Sequence, residues 1–302
     1  MAQKNKVDVY DIVTEHIIAE MEKGIIPWQQ PWCGGSDEAI SYTSRKPYSL
    51  LNQMLLGKPG EYLTYKQAVA LGGQVKKGAK GKMVVFYTMV NQKKVKEVDE
   101  VTGEETGKVK TVITDYGYPV LRFYTVFHLD DIEGLESKIE KDTSNDHDPI
   151  EEAERVASEY VEREEDLTLI VKHSNRAYYS PKEDKVVVPE LAQYKIKEEY
   201  YSTLYHELTH STGISKRCNR KIDSVAAFGD MSYAKEELVA EIGSAMTLNR
   251  LGIDCEKAFK NSVGYLQGWL KALRDDKKMI VIAAGQAQKA VDYIFGKAPA
   301  QE

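Results

Sequence analysis

The stretch Glu198-Glu199-Tyr200-Tyr201-Ser202-Thr203-Leu204-Tyr205-His206-Glu207-Leu208-Thr209-His210 indicates how the C-terminal half of this chain folds. Residues 198–212 show helical periodicity, and Gly213 is a suitable end for the helix. Two histidines four positions apart then project from one helix face and can share one metal ion. Glu207 lies to the neighbouring side, where a carboxylate can accept a proton from the attacking water in metal-assisted peptide hydrolysis. The spacing predicts a zinc site with His206 and His210 as ligands and Glu207 as the catalytic base; two ordinary surface or capping histidines are the alternative.

A catalytic zinc ion needs a third protein ligand. The sixth residue after His210 is Lys216, which excludes the metzincin pattern with a third histidine there. Glu237 and Glu241 lie four apart on the next predicted helix, so one can bind the metal while the other accepts a hydrogen bond from a ligand histidine. We expect Glu237 to be the ligand and Glu241 the hydrogen-bond acceptor, which resembles the gluzincin class of zinc peptidases; the reverse assignment and a plain solvated acidic face are the alternatives. The prediction is one zinc ion per chain, and other divalent ions suit the same ligands.

The charge of the chain is unevenly distributed, although the net charge is −6. Between Arg45 and Lys94 there are ten Lys or Arg residues against one acid, Glu61. This stretch also contains aromatic residues, and the mixture is typical of proteins that follow a phosphate backbone while stacking unpaired bases. A soluble lysine-rich face with its aromatic rings in the core is the alternative. The candidate DNA-binding residues from this stretch are Arg45, Lys46, Tyr48, Tyr65, Lys66, Lys76, Lys77, Lys80 and Lys82.

The order of periodic segments predicts an α+β protein with two domains. We expect a small mixed α/β domain over residues 1–135, a linker over 136–149 and a mostly helical domain with a short sheet over 150–302. In the first domain, Met83–Val90 and Tyr118–Phe127 are predicted to pair as strands across a polar excursion, residues 91–110, which suits an exposed hairpin tip or mobile loop. No run of apolar residues is long enough for a signal or membrane segment, so the expected location is the cytoplasm. Three widely spaced cysteines argue against a disulfide framework.

The chain resembles the antirestriction protein ArdC family of plasmids, phages and integrative elements. In the first half the resemblance rests on Gly24-Ile25-Ile26-Pro27-Trp28, Pro47-Tyr48-Ser49-Leu50-Leu51-Asn52, Tyr65-Lys66-Gln67-Ala68 and Val126-Phe127-His128-Leu129-Asp130-Asp131. In the second half it rests on Tyr205-His206-Glu207-Leu208-Thr209-His210 and Tyr233-Ala234-Lys235-Glu236-Glu237-Leu238-Val239-Ala240-Glu241. The resemblance implies a single-stranded-DNA-binding domain followed by a zincin-like metallopeptidase domain, and it adds Asn52 to the candidate DNA-binding residues.

Two functional hypotheses follow from the residues and the resemblance together. In the first, the protein binds single-stranded DNA, helps a mobile element to establish itself and hydrolyses a protein or peptide substrate at the zinc site. In the second, it protects DNA without enzymatic activity, and its zinc site is structural or vestigial. The presence of Glu207 favours the first hypothesis, because a purely structural site has no need of that carboxylate.

Overall fold

The structure is a computed structural model that describes residues 8–29, 38–98, 105–139, 149–222, 231–254 and 263–297. It opens with helix α1 (Val9–Glu22), whose first turn is capped by the Asp8 carboxylate accepting from the Tyr10 backbone N–H. A 3-10 turn, Pro27–Gln29, follows and buries Trp28.

The first half is built on a four-stranded sheet of order β1-β2-β5-β4. Strand β1 is parallel to β2, and the other neighbours are antiparallel. A two-residue pair, β3 and β6, closes this half. The elements are β1 (Ala39–Ser41), α2 (Leu50–Leu56), β2 (Gly60–Thr64), α3 (Tyr65–Ala70), β3 (Gln74–Val75), β4 (Lys82–Val98), β5 (Glu105–His128) and β6 (Ile132–Glu133).

Strands β4 and β5 form a hairpin that is longer than predicted. The expected pairing is confirmed, with Met83 opposite Thr125 and Val90 opposite Tyr118. The ladder then continues past two register shifts to Val98 opposite Glu105, so most of the 91–110 excursion is strand and not loop. The polar composition of the excursion favoured a loop, whereas the strand pairing depends on the register between β4 and β5. Residues 99–104 of the excursion lie outside the described residues.

The second half combines helices with a three-stranded sheet of order β7-β9-β8, in which β8 lies at an edge. Strand β7 is parallel to β9, and β8 is antiparallel to it. The expected mixed α+β class is confirmed, while β8 was not predicted as a strand. The elements are α4 (Pro149–Arg163), β7 (Thr168–Lys172), β8 (Tyr178–Ser180), β9 (Lys185–Pro189), α5 (Lys197–Ser211), α6 (Met231–Arg250), α7 (Val263–Asp275) and α8 (Met279–Ile294).

One apolar core joins the two halves. Val13 and Ile17 of α1, Trp28, and Leu50 and Leu55 of α2 are buried in the same cluster as residues of α6 and α8. The contribution of α6 includes Leu238, Val239 and Ile242. Helix α6 therefore packs against the first half of the chain while it carries the predicted acidic residues of the metal site. None of the helices among the described residues has the length and apolarity needed to span a membrane.

Candidate metal centre

Helices α5 and α6 bring the predicted metal ligands together where they approach closely. A side-chain carbon on Gly243 of α6 would lie 2.7 Å from the Thr209 methyl group of α5, so only glycine permits this spacing. The approach places Glu237 beside the two histidines of α5. The His206 and His210 rings lie 4.8 Å apart at an interplanar angle of 80°.

Three potential ligand atoms converge between the helices. The Nε2 atoms of His206 and His210 are 3.1 Å apart, and the Glu237 carboxylate oxygens lie 3.5 Å from His206 Nε2 and 3.4 Å from His210 Nε2. Tetrahedral zinc with ligands at about 2.0–2.1 Å separates neighbouring ligand atoms by roughly 3.3 Å. The three side chains offer one ligand atom each, all within 4.8 Å of one another. The donor set therefore fits a divalent metal ion.

Each histidine also has a carboxylate near its other ring nitrogen. Glu236 Oε1 lies 3.1 Å from His210 Nδ1, within hydrogen-bond distance. Glu241 Oε1 lies 3.9 Å from His206 Nδ1, so the hydrogen bond expected between Glu241 and a ligand histidine is not formed in this structure. Such outer carboxylates orient a ligand imidazole and set its tautomer. No role was predicted for Glu236 from the sequence, where it resembled an ordinary surface acid. The feature that could have identified it is its position directly before Glu237 on the same helix.

Charges in the centre are strongly coupled. Burial of the His210 ring lowers its pKa, but hydrogen bonds with Glu236 and Glu237 outweigh burial and raise the pKa to about 10. Burial of Glu237 raises its pKa, and the opposing hydrogen bonds from His206 and His210 bring it well below its usual range. Without a bound metal ion, His210 therefore carries a proton. Its positive charge partly neutralises the carboxylates of Glu236 and Glu237.

Glu207 is buried beside the centre but outside the group of converging ligand atoms. The backbone N–H of Tyr179, on the edge strand β8, lies near this carboxylate and favours its charged form, which lowers its pKa. Burial raises the pKa of Glu207 above its ordinary value, against the lowering effect of His206 and His210. A carboxyl group with a raised pKa is better matched to accepting a proton near neutral pH.

The predicted DNA-binding lysines lie on the surface of the first half. The strand register places Thr64 and Lys82 opposite the same residue, Val126, so the start of α3 and the start of β4 lie at one end of the sheet. Lys76 donates to the Asp130 carbonyl oxygen. Tyr48 is half-buried, with its ring against Tyr62 and Phe86. The exposed members of the predicted set are Arg45, Lys46, Tyr65, Lys66, Lys76, Lys77, Lys80 and Lys82.

Two of the predicted DNA-binding residues have structural partners. Asn52 is fully buried, and its side chain donates to the Val85 carbonyl oxygen and accepts from the Val85 N–H. The prediction that Asn52 contacts DNA is wrong for this conformation, because its amide is paired with strand β4 on the inside of the sheet. Arg45 forms an ion pair with the buried Glu61 and also donates to the Lys138 carbonyl oxygen. Its guanidinium therefore has a structural role in addition to any contact with phosphate.

Exposed aromatic rings lie on the β4–β5 ribbon at positions that are not among the predicted DNA-binding residues. Phe86 and Tyr124 are 44% and 42% exposed, with ring centroids 5.9 Å apart. Arg122, directly opposite Phe86 in the ladder, is also exposed. Sequence reasoning noted Phe86 among the aromatics but missed Arg122 and Tyr124, since both fall outside the basic stretch. Only the strand register shows that they adjoin it.

Two family models match the chain. The N-terminal domain of anti-restriction factor ArdC matches residues 7–127, and a zincin-like metallopeptidase matches residues 157–286. Crystal structures of the antirestriction ArdC protein from R388 plasmid are similar with a TM-score of 0.69. The metal-free form is 35% identical and covers 96% of this chain and 98% of its own; the Mn(II)-bound form is 33% identical and covers 98% and 100%.

Curated relatives are similar over most of this chain. Two proteins named DNA primase TraC, both from Escherichia coli, are 32% identical over 96% of it. The chain spans 20% and 27% of the lengths of these two relatives. The protein y4eC of Sinorhizobium fredii is 31% identical over 96% of this chain and 92% of its own length. The solved Mn(II) form and the donor set together support a divalent metal ion between α5 and α6.

Proposed function

Because this chain belongs to the ArdC antirestriction family, we propose that it is a mobile-element protein that binds single-stranded DNA and carries a zinc-dependent metallopeptidase-type site. The observation that carries the metallopeptidase part is the convergence of His206, His210 and Glu237, with Glu207 buried alongside. The family supports DNA binding, and preference for single strands is the finer part of the proposal.

His206, His210 and Glu237 would hold the metal ion. Zinc, when bound, supplies Lewis acidity that lowers the pKa of water and polarises a peptide carbonyl group. Glu207 then takes a proton from the attacking water and returns it to the leaving amine. Its burial excludes bulk solvent from the carboxylate, and the nearby Tyr179 N–H favours the charged form that accepts a proton.

The edge strand β8 supports a peptide as the substrate. Tyr179 pairs with Val186 of β9 on one side of the strand, and its backbone N–H lies near the Glu207 carboxylate. Among the described residues β8 has no strand partner on its other side, which makes this edge the candidate peptide-binding edge beside Glu207. An extended peptide that added itself to this edge by main-chain hydrogen bonds would lie beside Glu207.

The surface of the first half supports single-stranded DNA as the nucleic acid. Exposed lysines at one end of the sheet attract phosphates of any nucleic acid. The exposed rings of Phe86 and Tyr124 add faces on which unpaired bases stack, and base-paired DNA does not offer its bases in this way.

The test of the enzymatic part is Glu207→Gln, compared with the parent protein on a peptide library in the presence of zinc. Glutamine has the size and shape of glutamate and Glu207 is not a predicted ligand, so the fold and the metal content should be unchanged, and elemental analysis checks this. We expect cleavage to fall by about 10²–10⁴-fold, because glutamine cannot accept the proton. If the parent cleaves nothing and both proteins protect single-stranded DNA equally, the non-enzymatic hypothesis holds instead.

A further inference from the structure

The loop after helix α5 folds back to present Arg220 to helix α6. Residues on both sides of Arg220 are left-handed although neither is glycine, with φ of 51° at Asn219 and 60° at Lys221. The backbone N–H of Arg220 donates to the Gly213 carbonyl oxygen, and that of Cys218 donates to the Thr212 carbonyl oxygen. Left-handed backbone is unfavourable for residues with side chains, so this conformation is held by its surroundings.

The Arg220 guanidinium holds that position through four hydrogen bonds. Its side chain is 3% exposed, and it binds both oxygens of Glu236, at 2.8 and 2.7 Å. It also donates to the Thr209 carbonyl oxygen and to the Thr212 hydroxyl, both at 2.8 Å. A side-chain carbon on Gly213 would lie 2.9 Å from Arg220 Nη2, so glycine makes room for the guanidinium. Arg220 thus connects the end of α5 with the start of α6.

Glu236 carries this connection to the metal centre. Its Oε1 atom accepts from Arg220 at 2.7 Å and lies 3.1 Å from Nδ1 of His210, whose Nε2 faces Glu237. A buried ion pair is costly to desolvate and is weak evidence for stability alone. Planar bidentate pairing, in contrast, fixes the orientation of a carboxylate.

We propose that Arg220 and Glu236 are positioning residues for the metal ligand His210. Arg220 holds the Glu236 carboxylate in one orientation, and Glu236 keeps the Nδ1 hydrogen of His210 in place so that Nε2 is free for a metal ion. The inference rests on the proposed metal site and adds two residues to it. Neither residue contacts substrate in this role.

The test uses metal affinity and does not depend on peptidase activity. Metal-free parent, Arg220→Gln and Glu236→Gln proteins are titrated with Zn²⁺ against a chromophoric chelator and with Co²⁺ by visible absorption. We expect each variant to bind zinc about 10–100-fold more weakly than the parent, with an altered Co²⁺ spectrum. The double variant should be little weaker than the weaker single variant, because the two residues act as a unit. Arg220→Lys should lie between parent and Arg220→Gln, since a single ammonium cannot pair bidentately.

Arg217→Gln is the matched control. Arg217 belongs to the same loop and its side chain is fully buried, but its partners are Glu164, Asp184 and the Ser211 carbonyl oxygen. We expect this variant to lower the melting temperature while its zinc affinity stays within about twofold of the parent.

The outcomes separate the positioning role from the metal site itself. Equal losses of affinity in Arg217→Gln and Arg220→Gln would mean general destabilisation and would overturn the proposal. So would an unchanged Co²⁺ spectrum in both Arg220→Gln and Glu236→Gln. A parent protein that binds neither ion would overturn the metal site and the positioning role together, whereas a parent that binds both ions while the variants match it overturns the positioning role alone.

Discussion

The two halves of the molecule use charged side chains in opposite ways. At the metal centre Arg220 is 3% exposed and bound to Glu236, which in turn orients His210. On the first half, Lys66 and Lys82 extend into solvent at one end of the sheet. Buried, paired charges define distances to within a fraction of an ångström, whereas exposed charges attract a flexible partner without fixing its geometry. The difference indicates a rigid site for one small ion and an adaptable surface for a long polyanion.

Removing both histidine ligands should produce the largest effect. It should abolish metal binding while leaving DNA binding unchanged. For the double substitution His206→Ala and His210→Ala we expect complete loss of bound metal, because one carboxylate remains from the three-residue set. Oligonucleotide binding should stay within about twofold of the parent, since the lysines proposed to contact phosphates lie on the first half of the chain. Elemental analysis and fluorescence anisotropy measure the two quantities. A parallel loss of DNA binding would show that the halves do not act separately.

The second largest effect should come from pH, because protons and zinc compete for His210. The pKa of His210 is raised to about 10 in the metal-free protein, so below that pH a metal ion must displace a proton. Apparent zinc affinity should therefore rise by about tenfold per pH unit between pH 7 and 9. Calorimetry in buffers of different ionisation enthalpy would report the released proton. An affinity that does not change over this range would contradict the assigned protonation.

Binding of single-stranded DNA should change in different ways when aromatic side chains and when lysines are removed. Phe86→Ala with Tyr124→Ala should weaken binding of a single-stranded oligonucleotide by about 10-fold or more at every salt concentration, because stacking is not ionic. Lys66→Ala with Lys82→Ala should instead reduce the slope of log affinity against log salt by about 0.7 per lysine lost. Tyr178→Ala, an exposed aromatic of the other half, is the control and should leave binding unchanged. If the ring and lysine variants change the slope equally, the rings do not stack on bases.

Asn52→Ala should give the smallest change in binding together with a clear loss of stability. The substitution leaves the Val85 N–H and carbonyl oxygen without their buried partner, which costs about 1–3 kcal/mol of folding free energy. Thermal denaturation would show a lower melting temperature. Binding to single-stranded DNA, measured well below that temperature, should match the parent; a specific loss there would restore Asn52 as a DNA contact.

Some features of this protein could be predicted from local geometry alone. Helical spacing predicts that His206 and His210 share one face, and the same spacing relates Glu237 to Glu241. The structure brings His206, His210 and Glu237 together, whereas the Glu241 carboxylate stays 3.9 Å from His206 Nδ1, too far for a hydrogen bond. The strands of the hairpin could also be found, because Met83–Val90 and Tyr118–Phe127 are apolar, β-favouring runs.

Other features depend on contacts between distant parts of the chain. Arg220 reaches Glu236 because a loop with left-handed residues turns back, and no periodic pattern encodes that turn. Asn52 looked like a surface residue, yet it lies in α2, whose seven residues are all buried, and it serves the neighbouring strand. The outer part of the ribbon was predicted as a loop because its composition is polar, and its pairing is visible only in the register between β4 and β5.

The apolar core shared by α1, α2, α6 and α8 has a consequence for the lifetime of the whole molecule. A ligand that binds only the folded chain increases its folding free energy by RT ln(1 + [L]/Kd). Since α6 carries Glu237 and also packs in the core beneath the first half, this gain extends to the proposed DNA-binding surface. We expect the metal-loaded protein to melt as one cooperative unit and to resist heat and proteases in both halves, so that metal supply would govern how long the proposed DNA-binding surface persists in a cell.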